Sequence, residues 1–120
     1  MTDLLGSPRA YDASGAYLAA SAVADAIPLP FVALVLDDID FPERYRWIFP
    51  PIKATAALGL FSARWFPGLA RVTTAMLTLY FVLAVGLHAK AKDLGVAAVA
   101  AAGFAVIFAA MTAKGSRVAP

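Results

Sequence analysis

Four apolar stretches, each close to the length of a bilayer, constrain this 120-residue chain more than any other feature. They run from Ala13 to Leu36, Trp47 to Ala63, Val72 to Ala89 and Leu94 to Ala113. A helix needs roughly 20 apolar residues, with about 17–25 observed, to cross the hydrocarbon core. Each stretch is bounded by charge or by Pro/Gly. Nothing alternates with the period of two that a half-buried strand requires, and alanine dominates. Hydrophobic residues make up 62% of the chain and charged ones 15%, against roughly 45–50% and 25% in a soluble domain. The mean hydropathy of +0.76 agrees. The expectation is an all-α integral membrane four-helix bundle over residues 13–113, between a polar N-terminal segment 1–12 and a polar C-terminal tail 114–120.

The connections are charged or aromatic. Asp37-Asp38-Ile39-Asp40-Phe41-Pro42-Glu43-Arg44 cannot sit in hydrocarbon, and Lys90-Ala91-Lys92-Asp93 closes the third stretch. Pro50 and Pro51 stand near the start of the second helix, where a missing N–H is least costly. Trp47, Phe49, Trp65 and Phe66 lie where an aromatic belt would place them. Residues 1–12 do not read as a signal peptide: they begin without a basic run, and Asp25 interrupts the apolar core. An even number of spans puts both termini on one side. That side carries Arg9, Arg64, Arg71, Lys114 and Arg117, against Arg44, Arg46, Lys90 and Lys92 opposite, a difference that barely moves the positive-inside rule. The clustered acidic residues of the first connection suit the outer side, so the expectation is cytoplasmic termini in the plasma (inner) membrane of a prokaryote.

Several chemistries are excluded. With no cysteine, the chain has no thiolate metal site, iron–sulfur cluster or cysteine nucleophile, and one histidine cannot build a multi-imidazole site. The ten Lys/Arg are scattered and nearly balanced by eight Asp/Glu, so no clustered basic face exists for nucleic acid. No haem-ligation pattern, P-loop or dinucleotide fingerprint occurs, and nothing indicates a covalently bound cofactor.

What remains is a handful of polar groups within apolar stretches. Ionisable side chains there cost at least roughly 2.5–3.5 kcal/mol on insertion scales, so they face a cavity or a partner. Lys53 lies roughly 9 Å into the second stretch from Trp47. His88 lies at the same end of the third, and Asp25 near mid-span of the first, or higher if Pro28 breaks that helix. All three therefore belong to one half of the bilayer, where Asp25 and Lys53 can pair and His88 and Tyr80 can complete a polar pocket. Asp25, Lys53, Tyr80 and His88 are the candidate ligand-binding residues, and Asp25, Lys53 and His88 the candidate acid/base groups of any catalysis. Each has a plainer alternative: His88 meeting headgroups, Lys53 snorkelling to the surface, or a protonated Asp25 bonded to Ser21 or a backbone carbonyl. Thr74, Phe81 and His88, seven apart, share one helix face. Pro28 and Pro30 either kink or break the first helix against a cavity, or mark Leu29 to Leu36 as a re-entrant or interfacial segment.

Small residues recur at helical spacing in Ala16, Ala20 and Ala24, and again in Ala97, Ala101, Ala105 and Ala109. These stripes suit close backbone approach, either inside the bundle or between copies in a homo-oligomer. Phe104 and Phe108, on another face, are expected to meet lipid.

The run Ile48-Phe49-Pro50-Pro51-Ile52-Lys53-Ala54, with Ala57-Leu58-Gly59-Leu60, resembles the second helix of the DoxX-like membrane proteins. Phe66-Pro67-Gly68-Leu69-Ala70-Arg71 and the segment from Leu79 through Tyr80 and Phe81 to His88 are similar too, so the resemblance covers roughly residues 13–113. It implies a compact four-helix membrane protein, some relatives of which are linked to thiosulfate:quinone oxidation or to assemblies handling thiols and oxidative stress. Lys53 and His88 match positions where that pattern tends to carry a basic residue and a histidine; Asp25 maps to no position of it, and the first stretch, with Pro28-Leu29-Pro30 and a long acidic connection, departs from it. Without cysteine, a thiol relay within this chain is impossible.

Three functional classes follow. The first is a membrane subunit of a quinone-linked or thiol/oxidative-stress oxidoreductase system, giving a soluble partner access to quinone. The second is a non-enzymatic membrane scaffold, carrier or assembly module, and the third an intramembrane enzyme acting on a lipophilic substrate.

Overall fold

The computed structural model describes residues 5–27 and 29–115, which form α-helices and 3-10 turns with no strand among them. The helices are α1 (Pro8–Ala26), α2 (Pro30–Asp38), α3 (Phe49–Phe61), α4 (Pro67–Lys90) and α5 (Val96–Lys114), with 3-10 segments Glu43–Ile48 and Ser62–Arg64 on either side of α3. Helices α1 to α4 all carry proline in the first turn, where its fixed φ suits the helix and its absent N–H is not missed. Ser7 caps α1, its hydroxyl accepting from the Ala10 N–H at 3.3 Å.

Two antiparallel pairs make the body. Asp12 at the start of α1 meets Arg64 beyond the end of α3 at 2.9 Å, while Asp25 near the end of α1 meets Lys53 near the start of α3. Likewise Thr112 near the end of α5 donates to Thr74 near the start of α4 at 2.9 Å. Arg71 adds hydrogen bonds to the Thr112 and Ala113 carbonyls at 2.8 and 3.1 Å, satisfying acceptors that the end of α5 leaves free. The pairs meet where Gly59 of α3 lies against Thr73 of α4, and where Tyr17 of α1 stacks on Phe104 of α5 at 4.7 Å between ring centroids. Tyr11, Leu18, Leu60, Thr74, Phe108 and Met111 are the largest fully buried side chains.

Several expectations need correction. Helix α1 begins at Pro8, so part of the expected polar segment 1–12 is helical, and Tyr11 is wholly buried. The packed face of α1 is Tyr11, Gly15, Leu18 and Ala22, while Ala16 and Ala20 are exposed. The aromatic and Leu anchors, with glycine for close approach, decide which stripe turns inward. On α5, Phe108 is in the core and Phe104 is partly buried, because Phe81 stacks between them at 5.7 and 5.1 Å; they do not form a lipid-facing surface. Thr74, Phe81 and His88 are all buried on one face of α4.

The four apolar stretches also do not become four equal helices. Helices α4 and α5 are each long and apolar enough to cross a membrane, and α1 with α2 would make a third such unit, bent by 87°. The break lies between Ala26 and Leu29, whose extended backbone (φ −70°, ψ 151°) starts α2 afresh; Pro28 itself lies outside the described residues. The α-helical part of the second stretch has 13 residues, or about 20 Å, short of a hydrocarbon core of about 30 Å. Pro50 and the 3-10 turn before it set where α3 starts. Arg117 and residues 116–120 of the tail lie outside the described residues.

Helices α2 and α4 end alike. After α4, the Lys92 N–H bonds the Ala89 carbonyl at 3.1 Å and the Asp93 N–H bonds the His88 carbonyl at 2.9 Å, with Lys92 left-handed at φ 58°. This is a Schellman end in which lysine holds the position glycine usually takes. After α2, Asp40 (φ 58°) has the corresponding role, with Phe41 bonding back to Leu36.

Candidate functional site

The site grows from a spacing on α1. Ser21 and Asp25 stand four residues apart, so both project from one face near the end of the helix. Facing them from α3 is Lys53, which the first turn of that helix, fixed by Phe49 and Pro50, aims across the gap. Its ammonium lies 2.7 Å from Asp25 Oδ2 and donates to Ser21 Oγ at 2.8 Å. The Asp25 side chain is 7% exposed and that of Lys53 15%. Oδ2 has no well-directed hydrogen-bond donor among the described residues, so charge holds the pair while Ser21 takes the directed bond. The Phe49 ring adds an apolar wall, its centroid 6.0 Å from the Lys53 ammonium.

Two charges removed from water repay desolvation only when closely matched, and losing either leaves the other stranded. Lys53 therefore turns inward instead of snorkelling outward. Ser21 serves the lysine, in contrast to the alternative in which it bonds a protonated Asp25.

His88, at the far end of α4, is 4% exposed, covered by the protein itself. Its Nδ1 lies 2.9 Å from Asp93 Oδ2, and the Schellman turn that ends α4 brings Asp93 back onto the helix. Asp93 was legible in the sequence only as closing charge. The signal that could have found it is its place five residues after the histidine, just beyond the helix end.

Asp25, Lys53, Tyr80 and His88 all line one cavity of about 660 Å³ bounded by all five helices. It falls within the roughly 300–1,000 Å³ of small-molecule pockets, which pair apolar walls with a few convergent polar groups. Much of the wall is aromatic. Phe49 meets the edge of Tyr80 at 6.3 Å, Tyr80 meets Phe81 at 5.1 Å, Phe81 stacks on Phe104 at 5.1 Å, and Phe104 on Tyr17. Tyr17 is a part of this wall that the sequence did not single out, and Phe104 one that was expected to meet lipid. At the rim, Phe31, Leu83 and Val96 line the cavity yet are 59%, 60% and 87% exposed, so its mouth is apolar. Asp25 also borders a smaller cavity of about 210 Å³, shared with Arg46, Trp47 and Pro50.

No protein-family model, curated protein or solved structure matches this chain.

Proposed function

We propose that this chain is an integral membrane protein whose four principal helices, α1, α3, α4 and α5, form a bundle around a binding cavity for a lipophilic molecule with a polar ring. The observation that carries the reading is the cavity itself: a buried ion pair, a buried histidine and a row of aromatic rings, entered past exposed apolar side chains. Leu69, Val72, Met76, Leu79, Val82 and Leu83 of α4 are each more than half exposed, as lipid-facing residues would be. Trp47 and Trp65, near opposite ends of α3, are 71% and 68% exposed, as interfacial aromatics would be.

A quinone is the ligand that the DoxX-like resemblance suggests, and it suits the cavity: a flat ring stacks between aromatic faces, its oxygens seek polar partners, and its tail leaves through an apolar mouth. The chain then acts as the membrane subunit of a quinone-linked oxidoreductase system, with a soluble partner supplying or removing electrons. The orientation proposed is cytoplasmic termini in a prokaryotic plasma membrane, with the clustered acidic residues of the first connection on the outer side.

The test is a titration of the full chain in lipid nanodiscs with a decyl-substituted benzoquinone. Saturable one-to-one binding is expected. An Ala97→Trp variant, which fills the cavity and retains its helical circular dichroism, should lose it. Uptake no greater than that of empty nanodiscs would overturn the reading.

A further inference from the structure

The polar groups of the cavity are not equivalent as hydrogen-bonding partners. Lys53 faces Asp25 and donates to Ser21. His88 also lines the cavity, with one ring nitrogen engaged and the other without a hydrogen-bond partner among the described residues. Which nitrogen is engaged decides what the ring can accept. A carboxylate can only accept a hydrogen bond, so in the neutral imidazole the nitrogen facing Asp93 carries the proton. That nitrogen is Nδ1, at 2.9 Å, and Nε2 is left as a lone-pair acceptor.

The backbone holds this arrangement in place. Asp93 bonds His88 twice, once from its N–H to the His88 carbonyl and once through its carboxylate to the ring. The six-residue closure of the Schellman turn commonly brings an apolar residue back onto the helix; here it returns a carboxylate. The ring is thus oriented by a residue outside the cavity wall.

We propose that the cavity selects lipophilic molecules bearing a hydroxyl group, such as a phenol or the reduced ring of a quinol, which donates its O–H to His88 Nε2. Asp93 acts as the positioning residue that fixes the tautomer. This inference rests on the reading of the cavity as a ligand site and adds the polarity of the group recognised. An oxidised ring, which presents only carbonyl acceptors, meets no donor from His88. At His88 the site therefore favours the reduced member of a quinone/quinol pair, while an oxidised ring depends on donors elsewhere in the wall, Tyr80 and Lys53.

A matched pair of probes separates donation from shape: 4-decylphenol and its methyl ether, titrated into the full chain in nanodiscs. The phenol should bind roughly tenfold more tightly, the worth of about one neutral hydrogen bond. His88→Phe, measured in the same nanodiscs so that lipid partitioning cancels, should reduce that preference to near unity, whatever it does to the affinity for the ether itself. Asp93→Ala should lower the preference several-fold without changing ether binding. Because His88 is the chain's one histidine, its ¹⁵N spectrum reads the tautomer without ambiguity in the unaltered protein. A pyridine-type Nε2 that shifts on phenol binding is expected, with mixed tautomers in Asp93→Ala. Equal binding of phenol and ether, or a protonated Nε2 in the neutral ring, would overturn the inference. If decyl-benzoquinone still saturates the protein in that case, the cavity reading survives. If none of the three probes binds, both fall.

Discussion

Lys53→Met separates a working ion pair from a chance contact. In the wild type the ammonium is 2.7 Å from the Asp25 carboxylate, and the two side chains are 15% and 7% exposed. Removing the amine leaves a carboxylate on a short stem, 7% exposed, without its nearest cation. Breaking a buried pair from one side costs about 3–5 kcal/mol. Asp25→Leu should cost less, about 2 kcal/mol, because the freed lysine has a four-carbon stem along which it can rise toward the interface. Replacing both, as Asp25→Leu with Lys53→Met, removes attraction and desolvation penalty together and should return stability to within about 1 kcal/mol of the parent. Reversible unfolding in mixed micelles, followed by circular dichroism, measures the four proteins and closes the double-mutant cycle. The expected coupling is several kcal/mol, with Lys53→Met the worst of the four. Additive effects, or a double variant weaker than either single, would refute the argument that each charge is tolerated only because of the other.

The packing makes further distinctions. Gly59→Ala should destabilise by about 1–3 kcal/mol, since a methyl there overlaps the stiff Thr73 side chain on α4, and Thr73→Ala should partly restore it. Gly15→Ala should cost less, because the Phe61 ring it would crowd at 2.9 Å is 37% exposed and free to swing outward. Thermal or denaturant unfolding of the three variants checks the order, and an equal cost at both glycines would contradict it. Phe108→Ala, at a side chain 1% exposed and stacked on Phe81, should lose about 3–5 kcal/mol. Arg64→Ala should change stability by less than about 1 kcal/mol, since the Arg64 and Asp12 side chains are 53% and 45% exposed.

Legibility in the sequence followed how local the cause is. That Asp25, Lys53 and His88 lie at one level came from counting rise per residue along apolar stretches, and a short carboxylate in such a stretch demands a partner. The shared face of Thr74, Phe81 and His88 came from helical periodicity. What was not legible depended on which neighbour a face meets. The Ala16/Ala20 spacing is as regular as that of Tyr11, Gly15, Leu18 and Ala22, but only the latter offers ring and Leu anchors with a glycine where Phe61 comes close. Phe104 and Phe108 are apolar enough for lipid, and Phe81 across the helix pair takes them instead. Asp93 escaped notice because its role depends on the left-handed turn at Lys92, which a lysine does not advertise as a glycine would. The length of α3 was overread because hydropathy continues through 3-10 turns that the helix does not.

The charges of α1 and α3 meet inside the helix bundle. Solid-state NMR on protein in lipid bilayers, labelled at the Lys53 ¹⁵Nζ and the aspartate ¹³Cγ, tests it most directly. Dipolar recoupling should report a nitrogen–carbon contact consistent with the 2.7 Å nitrogen–oxygen separation, lost in Asp25→Asn and retained in Asp93→Asn. An ammonium with no dipolar contact to any carboxylate would contradict the account.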